Sequence, residues 1–172
     1  MPLNPIAYFS LEFGIDDSLP IFAGGLGILT GDMLLEANQQ KKPFIGIGLF
    51  YHQEGQFKIE AEQSRLEPVT DQSGKLIILP VPLGKRVIKV RAWKKLVGQI
   101  PLYLLDTQVK GNSIDDYNIC DQLYTGNKEH RFQQEIVTGI GGVKLLEALK
   151  ISPSYFHLNE AHCALAIIQA VI

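Results

Sequence analysis

The sequence predicts an α/β fold: a Rossmann-like parallel sheet with an antiparallel β insertion. Three observations carry that prediction. Two short apolar runs, Ile6 to Ser10 and Phe44 to Tyr51, have the character of buried strands. Between them lie a glycine bunch, Gly24-Gly25-Leu26-Gly27, and a helical stretch, which gives the strand, glycine turn, helix, strand order of a βαβ unit. Farther on, Val87 to Trp93 alternates apolar and polar from Ile88, as a half-exposed antiparallel strand does.

Each element follows in order. After the first strand, Asp16, Asp17, Ser18 and Pro20 mark a loop that leads into the glycines. Gly31-Asp32 opens a helix of about ten residues. Asp32 is its cap, Met33, Leu34 and Ala37 form its apolar side, and Lys41-Lys42-Pro43 stops it. Residues 52 to 75 are polar and irregular, and strands are expected at Leu76 to Leu79, Val87 to Trp93 and Leu102 to Leu105. The insertion therefore covers about residues 52–105 of a single domain, 1–172. Asn112 to Tyr124 is loop or short helix. Lys128 to Leu149 is the strongest helix, with Phe132, Ile136, Ile140, Val143 and Leu146 recurring on one face. Tyr155 to Leu158 is a further strand, and Glu160-Ala161-His162 starts an apolar helix reaching Ile172.

Composition narrows the function classes. With 172 residues, 46% of them hydrophobic, the chain suits one globular domain with its own core. A net charge of -2 without a basic stripe argues against nucleic acid or an anionic membrane as partner. No apolar run is long enough to cross a bilayer, and no basic stretch precedes an apolar one at the start, so neither a span nor a signal peptide is expected. The two cysteines, Cys120 and Cys163, lack metal-ligand spacing, and a reducing cytoplasm is the expected location.

Three constellations could carry chemistry. Backbone N–H groups in Gly24-Gly25-Leu26-Gly27, at the start of a helix, can approach an anion with no Cβ in the way. The run is not the dinucleotide fingerprint, because Thr30 stands where the third glycine belongs, and no Walker A sequence is present. Glu12 lies just past the first strand, at the carboxyl edge where open α/β sheets bind ligands, and could hydrogen-bond a polyol. Alone it would read as an exposed loop acid. His157-Leu158-Asn159-Glu160-Ala161-His162 leaves another strand end, so Asn159, Glu160 and His162 could converge on a polar ligand. The histidines are spaced wrongly for a shared metal, and a capping role for Asn159 competes. Gly139, Gly141 and Gly142 suit close helix–strand packing, while Arg131, Gln134 and Glu135 read as a solvated face.

Taken together, these blocks resemble a known family. Tyr8-Phe9-Ser10-Leu11-Glu12-Phe13-Gly14 and Ser18 through Asp32 are similar to the start of an α-glucan (glycogen or maltodextrin) phosphorylase of the shorter prokaryotic branch. The resemblance continues through Pro43 to Tyr51, Pro101 to Thr107, Arg131 to Glu135, Gly139 to Val143 and His157 to His162, in colinear order. It implies part of the N-terminal Rossmann-like half of a two-domain, GT-B-like glycosyltransferase. It also implies a reaction: orthophosphate cleaves the terminal α-1,4-linked glucose of a glucan and releases glucose 1-phosphate, assisted by pyridoxal phosphate. Under the resemblance Gly24, Gly25, Leu26 and Gly27 lie against phosphate and sugar, Glu12 is near the glucose pocket, and Asn159, Glu160 and His162 line the sugar side. The lysine that holds pyridoxal phosphate belongs to a C-terminal domain that this chain lacks, so the fragment is expected to bind no cofactor and to be inactive alone.

The sequence also departs from the pattern. Relatives often have Gly-Gly-Asp where this chain has Thr125-Gly126-Asn127, and Glu-Gly-His where it has Glu160-Ala161-His162. Ending within an apolar helix reads as a severed domain, from which self-association is expected. Two alternatives stand beside the phosphorylase. One is the N-terminal domain of a nucleotide-sugar glucan synthase, although Phe22-Ala23 precede the glycines where such enzymes usually place a lysine. The other is a non-catalytic carbohydrate-binding module.

Overall fold

The computed structural model describes residues 4–54, 57–61 and 65–172, so those parts of the polar stretch 52–75 at 55–56 and 62–64 lie outside the described residues. The strands are β1 (Ile6–Phe9), β2 (Phe44–Leu49), β3 (Gln53–Glu54), β4 (Phe57–Lys58), β5 (Glu67–Pro68), β6 (Leu79–Leu83), β7 (Arg86–Val97), β8 (Ile100–Asp106) and β9 (Tyr155–Leu158). The helices are α1 (Gly24–Gln39), α2 (Ile114–Tyr117), α3 (Lys128–Ile136), α4 (Gly142–Ala148) and α5 (Leu165–Ala170). The main sheet runs β5-β7-β8-β2-β1-β9, with β6 beside β7, and β3 and β4 form a separate pair.

The four strands β8, β2, β1 and β9 are mutually parallel and form the Rossmann-like core. β2 is buried along its whole length, as a strand covered on both faces must be. Its successive side chains point to opposite faces. Gly46 faces Leu34 of α1, whereas Ile47 faces Gly142 of α4, so α1 and the long helix cover opposite sides of the sheet.

The antiparallel part is smaller than expected. β8 was assigned to the insertion, but it pairs parallel with β2 and belongs to the core; only β5, β6 and β7 decorate it, antiparallel. The strand expected at Leu76 to Leu79 forms instead at Leu79–Leu83. Leu79, Val81 and Leu83 are buried there, while Pro80 and Pro82 point outward on a strand whose one partner among the described residues is β7, where a missing N–H is tolerated.

α1 begins at Gly24, not at Gly31-Asp32, and Asp32 is exposed in its interior rather than capping it. Ala23 is the N-cap and offers no side-chain cap. The helix start is fixed from outside: the Ala23 N–H donates to Glu12 Oε2 at 2.6 Å, and the Gly14 N–H donates to the Gly27 carbonyl at 2.8 Å. The 12–14 segment thus lies directly on α1, which brings Gly14 against Gly31.

The long helix is present but interrupted. Between α3 and α4 the residues Val137–Gly141 form a π turn. The extra residue of such a turn rotates the face presented to the core. Hence Phe132 is 53% exposed, whereas Gln134, expected on a solvated face, is buried beside Val137 and Thr138. Gly139 sits against the backbone of α5 and Gly142 against Phe9 and Ile47, in keeping with close packing.

Candidate functional site

The carboxyl ends of the four parallel strands gather the polar residues. Ser10 and Glu12 follow β1, Tyr51 and His52 follow β2, Asp106 ends β8, and Asn159 through His162 follow β9. The edge is knitted by backbone bonds: Ser10 N–H donates to the Ile47 carbonyl, and Asn159 N–H to that of Phe9. The Asn159 side chain donates to Ser10 Oγ at 3.3 Å and caps nothing; Glu160 stands at the N-cap of the short 3₁₀ turn Ala161–Cys163.

Glu12 is completely buried and is not the exposed acid its position alone suggested. One oxygen accepts from Ala23 N–H and the other from the Tyr124 hydroxyl. A carboxylate beside the first N–H groups of a helix also gains from the macrodipole. Burial and then the bond to Glu12 push the Tyr124 hydroxyl up to about 12, so it remains a proton donor.

From Tyr124 the contacts continue outward. The Arg131 guanidinium stacks over the Tyr124 ring, 4.7 Å from its centroid. Arg131 Nη2 donates to His162 Nε2 at 2.7 Å, and His162 Nδ1 lies 3.3 Å from Glu135 Oε1. A neutral imidazole with its proton on Nδ1 satisfies both contacts. The result is a continuous chain: Ala23 N–H, Glu12, Tyr124, Arg131, His162, Glu135.

Two backbone outliers border this chain. Tyr124 has φ 57° and Glu160 has φ 64°, left-handed values that cost a side-chain-bearing residue about 1–3 kcal/mol. Gly24 also has φ 71°, which glycine adopts freely. At Gly24 and Gly25 a Cβ would meet nothing within 4 Å, so both positions are open on their Cβ side. Gly27 differs, since its Cβ position is filled by the Phe22 side chain.

The structure therefore joins Glu12, the Gly24–Gly27 turn and His162 through Tyr124 and Arg131, and leaves Glu160 exposed outside the chain. Sequence reasoning missed Tyr124 and placed Arg131 and Glu135 on a solvated face. The four-residue spacing of Arg131 and Glu135 was the available signal. Both cysteines are buried and unpaired, and burial raises each thiol to about 12, which makes them inert. Among the described residues no group of three or more His, Cys, Asp or Glu side chains could hold a metal. Among the described residues no helix is long and apolar enough to cross a membrane.

The fold has a counterpart among solved structures. The catalytic domain of starch synthase IV from Arabidopsis thaliana, solved with ADP and acarbose, superposes with a TM-score of 0.62 over 94% of this chain and 29% of its own, at 16% identity. In sequence the chain is similar to the maltodextrin phosphorylase of Thermococcus litoralis, at 42% identity over 98% of this chain. It is also similar to the glycogen phosphorylases of Mycobacterium tuberculosis, at 38% over 96%, and Aquifex aeolicus, at 36% over 91%. It is a sequence relative of one segment of the α-glucan phosphorylases, spanning about a fifth to a quarter of their length (22% and 25%). No family model matches the chain.

Proposed function

We propose that the chain is part of the N-terminal Rossmann-like domain of an α-glucan phosphorylase, which uses orthophosphate to release glucose 1-phosphate from α-1,4-glucans. The observation that supports this most is similarity to maltodextrin phosphorylase along 98% of the chain. The likeness to starch synthase IV supports the fold alone and does not favour a nucleotide-sugar reaction.

In this reading the N–H groups of Gly24, Gly25, Leu26 and Gly27 receive phosphate and sugar oxygens at the positive end of α1. Glu12 acts from below by fixing Ala23. His162, oriented by Arg131 and Glu135, lines the sugar side with Asn159 and Glu160. In this reading the residues here hold the substrate phosphate and sugar, and none of them holds pyridoxal phosphate. They do not supply its amine, because among the described residues no lysine joins the hydrogen-bonded chain around Glu12. When bound, the cofactor supplies a phosphate that exchanges a proton with the substrate phosphate. The fragment is expected to be inactive by itself, to reside in the cytoplasm when part of its parent, and to self-associate.

The experiment uses the full-length parent with maltodextrin and orthophosphate. Gly25 has neither a positive φ nor a neighbour at its Cβ position, so Gly25→Val leaves folding nearly unchanged. Turnover is expected to fall about 100-fold, the scale of losing one transition-state donor. A normal rate of glucose 1-phosphate release in that variant refutes the turn's role. Activity that requires a nucleotide sugar refutes the phosphorylase.

A further inference from the structure

The amino ends of the parallel strands lie opposite the polar chain and border a cavity of about 560 Å³, within the range of about 300–1,000 Å³ that small-molecule sites occupy. Pro5 and Pro43, each just before a strand, and Pro101, near the start of β8, line it. A proline fixes its own backbone, so this frame is rigid. Phe44, Ile100 and Ile151 give the cavity an apolar wall, and three exposed lysines, Lys41, Lys42 and Lys150, line it as well. Among the described residues no carboxylate lines the cavity, and none forms an ion pair with any of these lysines.

Two of the lysines stand where the backbone disfavours a side chain. α1 and α4 end in the same hydrogen-bonded motif. Lys42 N–H donates to the Ala37 carbonyl and Lys41 N–H to that of Asn38, while Ile151 N–H donates to the Leu146 carbonyl and Lys150 N–H to that of Glu147. The left-handed residue of such a motif is usually glycine. Here it is Lys41, at φ 53°, and Lys150, at φ 56°. Helix C-termini favour cations, yet neither helix has one in its last turn, and both lysines sit just past the end, on the cavity. The two helix ends contribute about −0.5 charge each, so three ammonium groups leave a surplus of about +2. That matches the charge of about −1.5 to −2 on a phosphate monoester near neutral pH.

We propose that this cavity binds an organic phosphate monoester, with the phosphate among Lys41, Lys42 and Lys150 and the apolar group against Phe44, Ile100 and Ile151. The lysines supply charge, and the proline-framed wall supplies preference for a body that inorganic phosphate lacks. The site lies at the other end of the strands from Glu12 and Gly24, and does not depend on which reaction that end performs.

The test titrates the full chain with 1-naphthyl phosphate by isothermal calorimetry, beside inorganic phosphate and 1-naphthol. One site is expected for 1-naphthyl phosphate, about tenfold or more tighter than for either part alone. Lys41→Gly and Lys150→Gly are the informative variants, because each relieves a left-handed side chain. Each is expected to raise the melting temperature by about 2–4 °C and yet to weaken 1-naphthyl phosphate about fivefold or more. Changing all three lysines to glutamine is expected to abolish binding. A lower melting temperature with an unmoved titration in the glycine variants means that the lysines serve the helix ends alone, and overturns the proposal. So does undiminished binding in the triple variant. If 1-naphthyl phosphate binds no better than inorganic phosphate, the attraction is to surface charge and the proposal fails. Binding lost in Gly25→Val but kept in the lysine variants places the phosphate at the start of α1 and overturns it equally.

Discussion

Replacing Gly31 by alanine tests how α1 is seated. A Cβ at Gly31 would lie 1.9 Å from the Gly14 carbonyl oxygen and 2.8 Å from its carbon, both backbone atoms that cannot rotate away. Ordinary contact is about 3.5 Å, so the 12–14 segment would have to retreat by about 1.5 Å. Such overpacking costs about 1–3 kcal/mol. The retreat also breaks the 2.8 Å bond from Gly14 N–H to Gly27, worth about 1 kcal/mol. Alanine returns about 1 kcal/mol of helix propensity. The balance is a loss of about 1–3 kcal/mol, or about 2–12 °C in melting temperature for a domain of this size. Thermal unfolding followed by far-ultraviolet circular dichroism measures it. Gly25→Ala serves as control, since it enters open space on the same helix and is expected to be neutral or slightly stabilising. A Gly31→Ala protein as stable as wild type would mean that the 12–14 segment does not lie on α1.

Other perturbations probe separate features. Asp106 is fully buried and accepts from His52, Arg91, Trp93 and the Gln108 N–H, so Asp106→Ala is expected to cost about 3 kcal/mol in chemical denaturation; an effect below about 1 kcal/mol refutes that account. Burial pushes its carboxyl up, but the bond and charge of His52, the Arg91 guanidinium and the Trp93 N–H outweigh it and hold the carboxyl below the ordinary range. The resulting stabilisation is complete above the unfolded value near about 3.9 and is lost as pH falls through the lower folded value, so acid titration of Asp106→Asn should lack that component. Gln134→Leu leaves the Ile119 and Gln122 carbonyls without their donor and is expected to lower stability by about 1–3 kcal/mol despite its added apolarity. Ile167, Ile168, Val171 and Ile172 are all more than half exposed, so sedimentation at micromolar concentration should show self-association; a monodisperse monomer refutes it.

The fold was largely legible because its strands obey simple periodicities. The uninterrupted apolar run of β2 and the alternation of β7 both emerge where those patterns lie. Helix boundaries were less so, for nonlocal reasons. α1 starts at Gly24 because a carboxylate eleven positions earlier holds Ala23, an arrangement no local capping rule contains. The buried face of the long helix was misread because a periodicity argument assumes a constant turn, and the π segment breaks it at Val137–Gly141. β8 looked like insertion because its parallel partner β2 is separated from it by about fifty residues, and pairing direction is not written in composition. Within the site, Glu12 and His162 were visible as residues at strand ends. Their connection through Tyr124 and Arg131 was not, since it spans from residue 12 to residue 162 and depends on how two loops fold back.

The central place of β1 in the parallel core has a consequence for synthesis. It pairs with β2 on one side and with β9 on the other. As the chain leaves the ribosome its first partner arrives early, whereas the second arrives about a hundred residues later, roughly 5–20 s at about 5–20 residues per second. Throughout that interval the strand displays an open edge, with its apolar side chains uncovered and its backbone available to any extended peptide. The same waiting strand carries Ser10 and Glu12 at its end, so the polar chain from Ala23 to Glu135 cannot close until β9 docks. In a cell, the nascent protein should therefore be most dependent on chaperones just before residues 155–158 emerge.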